Sequence, residues 1–382
     1  MLTVRKIVEQ TEKIAPPSLA LPDDPIGLQV GSMEWQVRRL MLALDAGPDT
    51  IGQAVNSGAD MLLTHHPLFY KSIRNLNLDT MAGRAVALAI EKRVAIYSAH
   101  TNLDAAPRGI NRALAELLTL QNVQAFGSTD PARLKLVTFV PDEALERVRQ
   151  AIFNLGHGTI GEYSKCSFTT PGEGTFLGSE GTDPAVGRTG RFEKVREVRL
   201  EIIIEERNLR STIEVLKGAH PYEEPTVDLY PLFPLDRGNG LGLVGDLDPG
   251  AALEDLAQTL LKDLGASAVR WVGRKGTVIR RVALCAGSGA SLLEDNLVKG
   301  SDLFITGDIR YHDARRAQEA GLALLDIGHF APERFGMEFF GRLLDVALKG
   351  LDETVEIVYA VEENPFITLT AQPCEAEGKW HD

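Results

Sequence analysis

Between residues 38 and 104 short apolar runs alternate with segments of helical spacing. Residues 40–44 read as a buried strand closing at Asp45; Pro48 then suits a first helical turn, and Ile51 and Ala54 mark one helical face. Met61-Leu62-Leu63 is the next run, and it stops at Thr64-His65-His66-Pro67. A helix over 83–92 leads to a third strand at 94–97, which gives way to Ser98-Ala99-His100-Thr101-Asn102-Leu103-Asp104. This alternation predicts a parallel sheet covered on both faces.

The same pattern returns near the C-terminus. Residues 282–284 form a strand before the glycine-rich turn Ala286-Gly287-Ser288-Gly289-Ala290, and 303–306 another, ending at Gly307-Asp308. A third, at 322–327, ends in Gly328-His329-Phe330-Ala331-Pro332-Glu333. Pro332 suits the first turn of a helix whose apolar face holds Phe335, Phe339, Leu343 and Leu344. The two blocks are expected to share one mainly parallel sheet, giving an α/β domain split in sequence.

Between the blocks the order changes to strand 134–140, helix 141–155, strand 162–168, strand 195–204, helix 209–218 and strand 226–230. That βαββαβ order predicts a ferredoxin-like unit. Its central strands are joined by a Gly-, Thr- and Ser-rich stretch over 170–190, long enough to be functional or mobile. The expected organisation is a split α/β domain over 1–127 and 241–382, with an insert at 128–240.

Composition narrows the partners. Forty Lys and Arg against 53 Asp and Glu give a net charge of −13, unsuited to a phosphate backbone as main partner. The three cysteines, Cys166, Cys285 and Cys374, are far apart and offer neither a disulfide framework nor a metal knuckle. The first residues lack the apolar core of a signal peptide, and no run reaches the ~20 apolar residues of a membrane span. A cytoplasmic protein with no membrane partner is expected.

Three strand tips carry metal-type ligands: His65-His66, His100 with Asp104, and His329 with Glu333. Ligands of open α/β sheets bind beyond the carboxyl ends of strands, and neutral imidazoles with carboxylates suit Zn, Fe, Mn, Co or Ni. Singly, each piece has a plainer reading. A His pair suits a strand end with one buried and one solvated ring, His100 and Asp104 a hydrogen-bonded turn, and Glu333 the positive end of its helix. Their co-occurrence favours a site. Five of the eight histidines (65, 66, 100, 312 and 329) fall at or just past strand ends, and the others (157, 220 and 381) lie in the insert or tail.

Five motifs then occur in a shared order: Gly27-Leu28-Gln29-Val30-Gly31; Thr64-His65-His66-Pro67-Leu68-Phe69 with Lys71; Ala99-His100-Thr101-Asn102-Leu103-Asp104; Thr306-Gly307-Asp308 with His312; and Gly328-His329-Phe330-Ala331-Pro332-Glu333. Over about 1–127 and 240–370 the chain resembles the hexameric dinuclear-metal-centre proteins known as type 2 GTP cyclohydrolase homologues, whose long form carries a PII/CutA-like insert. It departs from them at Asp23-Asp24-Pro25-Ile26, where members often carry a Trp-Asp-Asn type sequence, so a substrate-side contact is the feature in question there.

The resemblance implies two divalent ions per chain, zinc first, with ligands His65, His66, Asp104, His329 and Glu333. Glu333 would bridge, His66 and Asp104 would serve one ion, and His65 and His329 the other. His100, His312 and Asp308 would support the ligands or carry protons; His312 equally suits a helix N-terminus bonded to Asp308. Lys71 would meet a substrate phosphate or remain a solvated lysine. The resemblance also implies a toroidal homohexamer and a nucleotide or phosphorylated small molecule as ligand. Such a centre does hydrolase chemistry, and the family's name points to ring opening of GTP. A dinuclear phosphoesterase would use the same ligands, and a non-catalytic metal- or ligand-sensing scaffold is the rival from another class.

Overall fold

Leu40, Met41, Leu42 and Ala43 are all buried, and so are every residue of Met61–Thr64 and Ala95–Ser98. Continuous burial along neighbouring strands requires cover on both faces, which is why these runs do not alternate with polar residues. The computed structural model describes residues 1–71, 73–129, 133–232, 238–351 and 354–369; Cys374 and His381 lie outside them. It divides into two compact units, residues 1–129 with 236–382, and residues 130–235.

The first unit holds a five-stranded sheet in the order Glu356–Tyr359, Arg39–Ala43, Met61–Thr64, Ala95–Ser98 and Gly27–Val30. All its neighbours run parallel except the last pair. Helices Pro48–Ser57 and Met81–Lys92 cover one face through Ile51, Ala54, Ala85, Val86 and Ala89. Pro48 opens the first of these and left-handed Gly58 closes it, the asymmetry expected of an isolated helix of this length.

The C-terminal block does not join that sheet. It forms a separate six-stranded one, ordered Arg270–Val272, Ala323–Asp326, Leu303–Gly307, Val278–Ser288, Gly242–Ala252 and Gln121–Phe126. Only the pairs that Leu303–Gly307 makes with its two neighbours are parallel. The expectation of one shared sheet fails because Val278–Ser288 already has an antiparallel neighbour in Gly242–Ala252. That partner is a Gly-, Asp- and Pro-containing strand with no clean apolar run. Helix Phe330–Lys349 contacts a strand of each sheet, and one apolar cluster joins Leu40, Leu42 and Leu63 to Leu284, Ile305 and Leu325 through Phe340 and Leu344. The core therefore runs through a helical layer rather than across a common sheet. No described helix is long and apolar enough to cross a membrane.

The second unit follows the order strand Arg133–Val140, helix Leu145–Phe153, strands Ser167–Leu177 and Phe192–Glu205, helix Leu209–Ala219 and strand Val227–Leu232. The strands form one antiparallel sheet in the spatial order Val227–Leu232, Arg133–Val140, Phe192–Glu205 and Ser167–Leu177. From Val198 to Glu205 burial alternates, with Leu200, Ile202 and Ile204 in one cluster with Val148, Ile152 and Leu216 of the helices. A strand expected at 162–168 lies instead at Ser167–Leu177. Most of it is exposed, so its Thr, Pro and Gly residues carry no apolar signal, and the connection expected over 170–190 begins only after Leu177.

Candidate metal centre

Three chain segments deliver the histidines and carboxylates. Past Met61–Thr64, His65 N and His66 N donate to the carbonyls of Ala43 and Leu44 (3.1 and 2.8 Å), holding both rings at the sheet's carboxyl edge. Past Ala95–Ser98, the short helix Thr101–Ala105 carries Asp104. Past Ala323–Asp326, Gly328 at φ +71° turns the chain, its N–H donating to the Asp326 carboxylate at 3.0 Å, and Glu333 enters the first turn of Phe330–Lys349. Buried Asn111 ties two of the loops: its Nδ2 donates to the Asp104 and Leu241 carbonyls, both at 3.0 Å, and its Oδ1 accepts Ala286 N at 2.8 Å.

Every imidazole of the group is anchored through Nδ1. His65, fully buried, has Nδ1 3.0 Å from the Ala99 carbonyl; His66 has it 3.0 Å from Asp45, His329 2.7 Å from Asp308, and His100 2.8 Å from Asp24. Carbonyls and carboxylates only accept, so each Nδ1 carries the proton, and Nε2 of a neutral ring is left as a lone pair. The Nε2 atoms of His66 and His329 lie 3.1 and 3.0 Å from opposite oxygens of Glu333, and His65 Nε2 lies 3.6 Å from Asp104 and 3.8 Å from Glu333. Potential ligand atoms of His65, His66 and His100 fall within 4.8 Å of one another, as do those of His66, His329 and Glu333.

With the rings neutral and Nδ1 protonated, three buried atoms here have no hydrogen-bond donor or acceptor to meet: His65 Nε2, Asp104 Oδ1 and Glu333 Oε2. Leaving such groups unsatisfied costs about 1–3 kcal/mol each, so their convergence calls for something that fills the space between them. Two neutral-nitrogen and carboxylate-oxygen donor sets are the chemistry of a divalent cation, and the residues present fit one. Gly287 keeps the space open. At φ +63°, a Cβ there would stand 2.2 Å from Glu333 Oε1.

Charge in the centre is shifted by these contacts. Burial works to lower the His66 pKa, but the Asp45 and Glu333 carboxylates outweigh it and hold the ring up to about 10. The contact with Glu333 raises His329 to about 9 against its burial. His65 is also raised, with Asp104 and Glu333 overcoming burial. Burial would raise Glu333, yet His65, His329 and His66 bring it well below the usual carboxylate range. Burial pushes Asp104 up. Without a cation, the centre therefore stores protons on imidazoles around one ionised glutamate.

The expected ligands His65, His66, Asp104, His329 and Glu333 thus lie together, with His100 beside them at a ring separation of 5.2 Å from His65. Their neighbours differ from the expected division: Asp104 is next to His65, while His66 faces His329 at 5.5 Å. Asp308 holds His329, and His312 is exposed on helix Tyr311–Glu319, edge-on to Tyr311 at 5.4 Å. Lys71 is exposed. Sequence reading passed over Asp24, Asp45, Asn111 and Gly287. Asp45 had a signal, ending a buried strand as the ligands do. Asp24 sits in the segment that departs from the family motif, and there it supplies the partner of His100 and accepts Thr101 N at 3.1 Å.

A family model described as Duf34/NIF3 (NGG1p interacting factor 3) matches residues 2–365. Proteins named GTP cyclohydrolase 1 type 2 homolog are 35% identical in both Halalkalibacterium halodurans and Bacillus subtilis, over 94% and 96% of this chain and 97% and 98% of theirs. A crystal structure of a Bacillus cereus protein related to NIF3 aligns at 34% identity with a TM-score of 0.65, covering 96% of this chain and 99% of that one. A Staphylococcus aureus structure aligns over the same shares at 26% identity and 0.66. Similarity that runs through both blocks and the segment between them, nearly end to end in the relatives, makes this chain a member of the DUF34/NIF3 family.

Proposed function

We infer that this protein binds two divalent metal ions per chain and uses them for hydrolysis. The observation that carries the reading is the convergence of His65 Nε2, Asp104 Oδ1 and Glu333 Oε2, buried and without hydrogen bonds while the imidazoles are neutral. His65, His66, Asp104, His329 and Glu333 would be the ligands. Glu333 suits the bridging role because its two oxygens face different imidazoles, His329 through Oε1 and His66 through Oε2. The neighbours favour His65 with Asp104 on one side and His66 with His329 on the other.

Divalent ions held there, zinc first and Fe, Mn, Co or Ni as alternatives, would supply an acidified water and polarise a substrate oxygen. The chain's own contribution is orientation. Asp45, Asp308, Asp24 and the Ala99 carbonyl fix four rings by Nδ1, so no ligand has to reorganise when a cation or substrate enters. His100, held by Asp24 beside the ligand group, would hold or pass a proton; His312, exposed, is the weaker candidate for that role.

The relatives' name suggests a guanine nucleotide whose imidazole carbon is attacked with loss of formate, and a phosphodiester would suit the same ligands. The strand and helix order of residues 130–235 supports a ferredoxin-like insert of the PII/CutA kind, proposed for 128–240 within a split domain of 1–127 and 241–382. Assembly is proposed as a homohexameric toroid. The scaffold or sensor reading draws support from the large cavity in the second unit, a feature hydrolysis at the metal centre does not require.

Elemental analysis of protein purified without chelator should find about two divalent ions per chain, since five mixed ligands exceed the need of one tetrahedral ion. Nucleotide turnover should fall by orders of magnitude in His66→Ala, with the fold retained by circular dichroism. Less than one ion per chain would overturn the dinuclear reading. Full metal loading with no turnover of GTP or a phosphodiester would favour the scaffold.

A further inference from the structure

Residues of the second unit alone line an open cavity of about 870 Å³. Its floor is the sheet face turned away from the helices. Val198, Leu200, Ile202 and Ile204 point to the helical side, so Glu197 and Arg199 point to the other, beside Phe139 and the stretch 170–176. Residues 178–186 and 222–226 complete the wall. The first of these segments is fastened by its own bonds: Gly190 N donates to the Gly178 carbonyl at 2.8 Å, Thr189 Oγ1 to the Thr182 carbonyl at 3.1 Å, and Asp183 N to the Glu223 carboxylate at 3.2 Å.

Two features give this space a chemical preference. The first is a fitted carboxylate. Glu197 accepts the Tyr222 hydroxyl through Oε1 at 2.6 Å, while its Oε2 has no donor among the described residues. That oxygen lies over Gly174, where a Cβ would come within 2.0 Å of it, so the strand gives up a side chain to seat the carboxylate. The second is the balance of the lining. Glu173, Asp183, Glu197, Glu223 and Glu224 share the lining with one cation, Arg199, whose Nε already donates to Glu201 at 2.8 Å; Glu173 is paired with Lys194 at 3.0 Å, and the other four carboxylates have no cation partner among the described residues. Phe139, Phe176 and Tyr222 add half-buried aromatic surface.

A phosphate or nucleotide would be repelled by these carboxylates, and the one guanidinium in the lining is already paired with Glu201 through Nε. An ammonium group gains from both partners, a carboxylate oxygen lacking a donor and aromatic faces that attract cations. The volume falls in the range of small-molecule sites, far larger than a bare ion needs. The geometry points to a binding site for a small organic ammonium compound, an amine or polyamine, seated with one cationic end at Glu197 and its aliphatic body against Phe139, Phe176 and Tyr222.

Spermidine is the probe, titrated calorimetrically into the full-length protein at about 0.15 M salt, where attraction to distant surface charge is screened. One saturable site per chain is expected. Glu197→Gln, which keeps the side-chain shape and an acceptor for Tyr222, should weaken binding roughly tenfold or more. Gly174→Leu should abolish it by displacing the carboxylate, with the melting temperature recorded to confirm folding. Glu116→Gln, an exposed helix position of the first unit, should change nothing and reports general attraction to an acidic chain. Non-saturable binding, equal affinity in wild type and Glu197→Gln, no heat of binding at all, or saturable binding of ATP at this site instead would each overturn the proposal. None of these outcomes depends on the metal centre, so the two readings stand or fall separately.

Discussion

Both units gather carboxylates, and they treat them in opposite ways. Glu333 is 3% exposed and touches three imidazoles, each of which is braced from behind by a carboxylate or a carbonyl. Glu197 is only half-buried and has a single neutral partner, the Tyr222 phenol. The first arrangement is closed on itself: one carboxylate is ringed by imidazoles, and each imidazole is backed by a carboxylate or a carbonyl. The second faces a space large enough for an organic molecule and leaves its charge uncompensated. The contrast shows that acidity alone does not identify a ligand. What surrounds the carboxylate, and how much room it leaves, is the basis for proposing a metal at one site and an amine at the other.

The severest way to break the first arrangement is Glu333→Ala. Three imidazoles lose their common counter-charge, and the buried cluster loses the group that keeps it protonated. Metal content should fall from about two ions to below one per chain, because the shared ligand is gone. The metal-free protein should lose about 3 kcal/mol near pH 6, the scale for removing one partner of a buried charge pair, measured by denaturant unfolding. A variant with full metal content would show that Glu333 merely caps its helix.

Acidification tests the same contrast more gently. With His66 held up to about 10 and His329 to about 9 in the metal-free protein, a cation must displace protons from both. Apparent metal affinity should therefore rise with pH, approaching tenfold per unit for each proton released. Stability of the metal-free chain should run the other way. A raised folded pKa stabilises fully below the ordinary histidine value of 6.5, and that contribution is lost as pH climbs through about 9 and 10. Opposite slopes for metal affinity and metal-free stability are the signature to seek, by competition with a coloured chelator and by thermal unfolding. Parallel slopes would mean that these histidines are not where the metal binds.

The same contrast explains what was legible in the sequence. Metal-type ligands follow apolar strands directly, so His65-His66, His100 with Asp104, and His329 with Glu333 stand out from linear pattern alone. Their braces, apart from Asp45 at the end of its own buried strand, do not. Asp24, Asp45 and Asn111 reach the centre through contacts between elements far apart in sequence, and Gly287 matters only for a Cβ it lacks. The strand and helix order of the second unit was readable because its core strands alternate. Its exposed strand Ser167–Leu177 was not, having no buried face to impose a period, and the cavity above it rests on that strand. The separation of the two sheets was hidden for a related reason: Gln121–Phe126 and Gly242–Ala252 pair through backbone bonds that their side chains do not advertise.

The smallest effect expected is also the most discriminating for His100. The Asp24 side chain is only 6% exposed; it accepts His100 Nδ1 at 2.8 Å and also takes the N–H and hydroxyl of Thr101. Asp24→Asn preserves the size of the side chain and can still accept from the backbone, but it removes the charge behind the ring. A ring that binds metal directly should then lose about tenfold in metal affinity, the lower end for loss of a carboxylate behind a ligating histidine. A ring that only carries protons should leave affinity unchanged and instead lower turnover, because the amide no longer holds the Nδ1–H side of the ring as the carboxylate did. Metal competition and turnover measured on the same preparation separate these cases. Asp24→Asn that alters neither would reduce the Asp24–His100 contact to a fold brace.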